Sequence, residues 1–300
     1  MIQEYEIKYV NLNKGERLAY REIGKGKNIL LLIHGNMSSG LHFLPIIERL
    51  PEDFKAYVVD LRGFGESSYN HRFDSLKELS EDIFELTSIL GLKDFSMAGW
   101  STGGGICLQF AADHPGFANK IVLIESVGYT GYPLCKKDAA GQMLVDTVYS
   151  SKNEMALDAV QVAPALAAME NKDFAFMNWL WDVAIYTNKK PVPEYNNLYI
   201  NETLKQKNLV DIDWSLANFN MSYGHNGYAP GSGLIDKVEV PVLSFWSDRD
   251  IVVSEEAVKT TVEAIGDNAA LVILENSGHS PLVDCPDLLS QKIFDFVRKV

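Results

Sequence analysis

Ser101 stands in Gly99-Trp100-Ser101-Thr102-Gly103, a G-x-S-x-G whose surroundings suit a nucleophilic serine. The run 95–98 before it is short, apolar and strand-like, and residues 104–112 after it have a helical apolar face. A strand running straight into a helix places one residue on a strained corner with its side chain exposed. Strand and helix then pass too closely for a Cβ two residues to either side, where Gly99 and Gly103 stand. A serine hydroxyl is a weak nucleophile until a base takes its proton, and that base must be held in one tautomer. The chemistry to look for is attack on a carbonyl, which needs a base, an orienting acid and donors for the oxyanion.

Six histidines compete for the role of base. His279, in Asn276-Ser277-Gly278-His279-Ser280-Pro281, follows the strand-like run 270–274, and a loop leaving the carboxyl edge of a sheet brings an imidazole over the corner serine. His114 follows the helix after Ser101 and belongs to the opposite end of the sheet. His42 and His71 read as surface residues, His34 as a brace for its loop, and His225 as a residue placed to line a pocket. His279 is taken as the base. For the acid, Ser247-Asp248-Arg249-Asp250 follows the apolar run 241–246. Asp250 directly precedes Ile251-Val252-Val253, which would anchor it at the start of the next element; Asp248 reads as a turn cap or a partner of Arg249. Glu125 is a third acid, read as ending its strand, and Asp250 is preferred. The oxyanion needs backbone N–H donors set in advance. Thr102, opening the helix after Ser101, supplies one; Asn36, in His34-Gly35-Asn36-Met37, supplies the other, with Gly35 allowing the tight turn. The Asn36 side chain is a further candidate for substrate contact.

These residues need a scaffold of strands ending side by side. The runs 4–10 and 16–22 alternate around Asn13-Lys14-Gly15 and read as a hairpin. Residues 28–33 are continuously apolar, as a buried parallel strand is, and 56–60, 95–98, 121–125, 241–246 and 270–274 follow in that style. Leu76, Leu79, Ile83, Leu86 and Leu90 recur at helical spacing over 75–90, with Gly91 as the stop; 101–113 and 287–300 are further helices. This alternation predicts a mostly parallel sheet with helices on both faces. The rhythm breaks over 127–237, where helical patterns and loops replace clear buried strands. Trp179, Trp181, Tyr186, Tyr195, Tyr199, Trp214 and Tyr223 fall there, together with loop material at Pro191-Val192-Pro193 and Gly231-Ser232-Gly233. An insertion at that point lies over the carboxyl ends of the sheet, where ligands bind, and is read as a helical cap.

A net charge of −13 with no basic stripe argues against a nucleic-acid partner. No run approaches the roughly eighteen apolar residues of a membrane span. The charged start Met1-Ile2-Gln3-Glu4-Tyr5-Glu6 does not read as an export signal. Cys107, Cys135 and Cys285 are scattered, giving neither a disulfide framework nor a metal spacing. The expectation is a reduced, cytoplasmic protein with a small-molecule substrate, no membrane partner, no metal and no cofactor.

Across nearly its whole length the chain resembles the α/β-hydrolase superfamily. The resemblance rests on His34-Gly35-Asn36, Asp60-Leu61-Arg62-Gly63-Phe64-Gly65-Glu66-Ser67, the G-x-S-x-G, Asp250 before its apolar run, and Gly278-His279. The order Ser101, Asp250, His279 matches that family's order of nucleophile, acid and base. It implies an α/β fold with a mostly parallel eight-stranded sheet, a core of 1–126 and 238–300, and a cap of 127–237. The loop 60–67 is then structural, with Arg62 bonding backbone and Gly63 and Gly65 permitting the turn. Members that open epoxides or remove halide use an aspartate nucleophile, so Ser101 sets those chemistries aside. What remains is hydrolysis of an ester or similar acyl bond of a moderately large apolar molecule, by way of an acyl-enzyme. The alternatives are carbon–carbon hydrolysis of a diketone-type substrate and a non-catalytic ligand-binding homologue.

Overall fold

The computed structural model describes residues 2–138 and 140–298. Strands β1 (Lys8–Asn11) and β2 (Arg17–Gly24) form the antiparallel hairpin foreseen around Asn13-Lys14-Gly15, although β1 begins later and β2 runs further than the alternation suggests. Next come β3 (Asn28–Ile33), β4 (Phe54–Asp60), β5 (Phe95–Trp100) and β6 (Ala118–Ile124). A small separate hairpin, β7 (Cys135–Lys137) with β8 (Met143–Val148), precedes β9 (Val242–Ser247) and β10 (Ala269–Leu274). The main sheet has eight strands in the order β1-β2-β4-β3-β5-β6-β9-β10. From β4 onward in that order every neighbouring pair is parallel.

Continuous apolar character in the central strands reflects cover on both faces. Leu30, Leu32, Val58, Val122 and Phe245 enter one core; Leu31, Ile33, Val59, Met97 and Leu123 enter the other. The short α1 (Leu44–Ile47) feeds the first core, and α2 (Leu76–Ile89) and α3 (Thr102–Asp113) feed the second. Helix α2 starts where Ser75 accepts a hydrogen bond from the Glu78 N–H and stops before Gly91, at φ 63°. Between β6 and β9 lie α4 (Lys152–Met155), α5 (Val162–Asn171), α6 (Phe174–Ala184), α7 (Pro193–Thr203) and α8 (Leu209–Asn218). After β9 come α9 (Glu255–Ile265), α10 (Pro281–Asp284) and α11 (Pro286–Arg298). Among the described residues no helix is long and apolar enough to cross a membrane.

Three local outcomes differ from the sequence expectation. The β7–β8 hairpin interrupts 127–237; Met143 and Val145 are exposed, so no buried-strand pattern announces it. Helix α9 lacks a counterpart among the expected helices. Arg62 is held chiefly by a carboxylate, Nε donating to Asp82 at 2.7 Å, with backbone carbonyls of His71 and Glu78 at 3.3 and 3.5 Å as weaker partners. Gly63 and Gly65 do take positive φ, at 81° and 47°. Residues 299 and 300, within the expected closing helix, lie outside the described residues.

Parallel strands end at one edge, so the loops after β3, β5, β6, β9 and β10 gather Asn36, Ser101, Glu125, Asp250 and His279 there. The tightest point is the β5–α3 corner. A Cβ on Gly99 would lie 2.3 Å from the Gly103 carbonyl carbon, and one on Gly103 would lie 2.1 Å from the Ile33 oxygen. Neither neighbour is a flexible side chain. Gly103→Ala is expected to cost at least about 3 kcal/mol. Gly91→Ala, whose Cβ meets nothing within 4 Å, should cost about 1–2 kcal/mol for its left-handed φ alone. Denaturant unfolding of both variants checks this, and equal losses would contradict it.

Candidate active site

Ser101 sits between β5 and α3 at φ 53°, ψ −118°, a conformation an L-residue adopts only under constraint. The constraint is visible in its backbone bonds. Its N–H donates to the Ile124 carbonyl at 2.9 Å, and its own carbonyl accepts from Gly104 at 3.0 Å and Val127 at 3.2 Å. The side chain projects from this corner and borders a cavity of about 360 Å³.

His279 borders the same cavity. Its Nδ1 lies 2.8 Å from Asp250 Oδ2, with both side chains almost completely buried. Asp250 Oδ1 accepts from the Val252 and Val253 amides at 2.7 and 3.1 Å. Burial acts to raise the Asp250 carboxyl, but the facing imidazole and these amides outweigh it and hold the group below the usual aspartate range. An ionised carboxylate only accepts, so Nδ1 carries the proton and Nε2 is left with the lone pair. The imidazole loop is itself braced: the Trp100 indole donates to the His279 carbonyl at 2.8 Å, and the Gly278 N–H donates to Asp284 at 2.7 Å. Among the described residues no hydrogen bond joins Ser101 Oγ to Nε2, a contact that in free enzymes is often loose until substrate arrives. Asp248 neither joins the pair nor meets Arg249. It accepts from the Ser277 N–H at 3.3 Å, while Arg249 donates to Asn188 at 2.8 Å and to Asn276. Asp250 is anchored by a loop, since α9 begins only at Glu255.

Glu125 does more than end β6. It is fully buried at φ 44°, and its two oxygens accept from the Ser247 N–H and hydroxyl at 3.0 and 2.8 Å. Burial first, and then the negative charge of Asp250, push its carboxyl well above the usual glutamate range. One carboxyl of this adjacent pair is therefore ionised and the other neutral, with Asp250 the ionised one.

On the other side of Ser101, Thr102 opens α3, where first-turn amides have no intrahelical partner. Asn36 follows Gly35, at which a Cβ would come within 3.0 Å of Ser101 Cβ. The Asn36 and Thr102 amides have no acceptor among the described residues, and both residues border the cavity. The Asn36 side chain is occupied by protein: Nδ2 donates to Asp213 at 2.9 Å, and Oδ1 accepts from the Met37 N–H and from Gln206, each at 2.8 Å. His34 braces the loop as expected. Its Nε2 accepts from the Leu61 N–H at 3.0 Å and its Nδ1 faces the Gly35 carbonyl at 2.8 Å. Burial drops its pKa to about 4, so it is neutral.

Two histidines are placed differently from expectation. His42 is buried, packed on the rings of Tyr199, Trp181 and Trp100, and burial lowers its pKa to about 3. His225 is exposed and does not border the cavity. His71 is exposed but meets Glu16 at 3.2 Å. Of the seven aromatics noted in 127–237, only Trp181 borders the cavity, and core packing accounts for Tyr186 and Tyr199. Among the cavity residues that sequence reasoning missed are Tyr132 and Asp213. Tyr132 sits in a loop, and Asp213 lies on α8, where a helical pattern gives no sign of a partner in the Asn36 loop.

The family model described as alpha/beta hydrolase fold matches residues 28–286. The chain belongs to the α/β-hydrolase fold family. This hydrolase is 27% identical to Lipase 1 of Psychrobacter immobilis over 290 residues, covering 95% of this chain and 81% of the lipase. Among solved structures, an esterase from Exiguobacterium antarcticum aligns with a TM-score of 0.74 at 17% identity, over 97% of this chain and 99% of the esterase. A bromoperoxidase from Bacillus anthracis aligns with a TM-score of 0.74 at 20% identity, over 98% and 100%. At those identities the likeness is one of fold.

The buried Glu125 makes the hydrolase's stability depend on pH. Native Glu125 keeps its proton above the ordinary value of 4.5, where the unfolded chain releases it. Native stability is therefore lost as pH rises from that value up to Glu125's own raised pKa. Glu125→Gln removes this linkage. Between about pH 5 and pH 8 the wild-type melting temperature should fall relative to that of the variant; parallel curves in thermal melts would contradict a protonated Glu125.

Proposed function

We propose that this hydrolase cleaves an ester bond of an apolar small molecule through an acyl-enzyme on Ser101. The observation that carries the reading is that a strained serine and the lone-pair nitrogen of a carboxylate-held imidazole border one cavity. His279 Nε2 takes the Ser101 proton as Oγ bonds to the carbonyl carbon. The oxyanion accepts from the Asn36 and Thr102 amides, while Asp250 stabilises the imidazolium. The tetrahedral intermediate then expels the alcohol, which takes the proton from His279. Water, deprotonated by the same imidazole, attacks the acyl carbon and releases the acid and Ser101. No step needs a metal or cofactor.

Residues 127–237 are read as the cap, since Tyr132, Leu134, Leu180, Trp181, Asp213 and Leu216 from that segment border the cavity; 1–126 and 238–300 form the core. A cavity of about 360 Å³ lies at the lower end of the small-molecule range of about 300–1,000 Å³. That favours a compact buried group over the moderately large one that the aromatic count suggests. The name of the Psychrobacter immobilis relative, a lipase, favours ester over carbon–carbon cleavage. A cytoplasmic location fits the three cysteines, which are free thiols.

Fluorophosphonate should modify one residue, Ser101. Ser101→Ala should lower kcat on p-nitrophenyl esters by about four to six powers of ten, and Asp250→Asn by about four. The esters are run beside acyl thioesters and vinylogous diketones to read the bond cleaved. A folded Ser101→Ala protein with undiminished ester hydrolysis would sink the mechanism.

A further inference from the structure

The wall of the cavity over Ser101 is mostly apolar, and among the described residues it carries one carboxyl group, that of Asp213. Helix α8 has two buried aspartates two positions apart, on different faces. Asp211 is compensated, with Arg72 at 2.6 Å and Lys152 at 2.8 Å. Asp213 has no ion-pair partner among the described residues. Its Oδ1 accepts from Asn36 Nδ2 at 2.9 Å, and its Oδ2 accepts from no described residue. The charged groups that act on it are Asp158 and Lys137, which are paired with each other at 2.5 Å. The Tyr132 phenol, also bordering the cavity, lies within its electrostatic reach. Asp213 is only 6% exposed, and burial pushes its carboxyl up to about 7. The fold thus holds a costly group with half its bonding capacity unfilled, facing the space a substrate enters.

We propose that Asp213 is a specificity-determining residue whose Oδ2 accepts a hydrogen bond from a hydroxyl or ammonium group carried by the substrate near its scissile carbonyl. The position follows from Asn36, whose side chain holds Asp213 while its backbone amide is assigned to the carbonyl oxygen. The substrate class is then a hydroxy- or amino-substituted acyl ester in place of a plain alkyl one. A site with an open acceptor discriminates strongly against an apolar isostere, because binding that isostere leaves the carboxyl desolvated and unpaired. The inference rests on Ser101 being the nucleophile.

The test compares kcat/KM for ethyl butyrates bearing hydrogen, methyl, hydroxyl or amino at C2 or C3. At one position or both, the hydroxyl or ammonium ester should exceed its methyl isostere by about ten- to a hundredfold in the wild type. A larger gain with ammonium marks an ion pair, and a larger gain with hydroxyl marks a neutral donor. Asp213→Leu should bring the ratio to about one. Asp213→Asn, which keeps the contact to Asn36, should remove the ammonium preference and serves if the leucine variant does not fold. Wild-type ratios near one, or ratios that survive the substitution, overturn the proposal. Fluorophosphonate labelling is run on the same samples. Labelled Ser101 with flat ratios rejects the role of Asp213 alone, whereas unlabelled Ser101 rejects the serine mechanism beneath it.

Discussion

Backbone packed against backbone at the end of β5 is the constraint on which the rest of the site depends. Gly99, Gly103 and Gly35 each stand where a single Cβ would meet main chain or the serine itself. Because strand, helix and the Asn36 loop close to that distance, Ser101 has no relaxed conformation available and is held at φ 53°. The same closeness brings Thr102, at the start of α3, and Asn36 to the cavity that Ser101 borders. Strain at this one residue thus goes with the packing that sets Ser101, Thr102 and Asn36 at the same cavity.

Opposite this rigid corner the site is governed by low dielectric. Three carboxyl groups are buried close to the chemistry, and each settles differently. Asp250 meets an imidazole and two amides and stays ionised. Glu125, beside that charge, stays neutral. Asp213, with one amide donor and no cation, is poised near neutrality. Burial raises the pKa of all three, the donors each receives lower it, and for Glu125 the adjacent charge of Asp250 raises it further. With Glu125 neutral, the one negative charge of the adjacent pair lies on Asp250, the carboxylate that meets His279.

What the sequence made legible is what local spacing encodes. The G-x-S-x-G, the apolar runs and the loop after each run are short-range patterns, and they led to Ser101, Asp250, His279, Asn36 and Thr102 at one sheet edge. The residues it hid are those whose environment comes from distant chain. His42 reads as a surface residue in its own stretch, yet Trp181 and Tyr199 bury it. Asp213 meets Asn36 across 177 positions, and nothing within α8 signals that contact. Glu125 looks like a polar strand end until Asp250 and Ser247 close over it. In the β7–β8 hairpin Met143, Leu144 and Val145 are exposed in succession, so β8 lacks the burial that gives strands their alternation.

An acyl group carried on Ser101 can be trapped. The enzyme is mixed with an activated ester, quenched in acid during turnover, and mapped by peptide mass. One acyl adduct is expected, on Ser101, absent from Ser101→Ala and accumulating when Asp250 or His279 is replaced only to the extent that acylation survives. An adduct on any other residue, or turnover by Ser101→Ala at the wild-type rate, would contradict it.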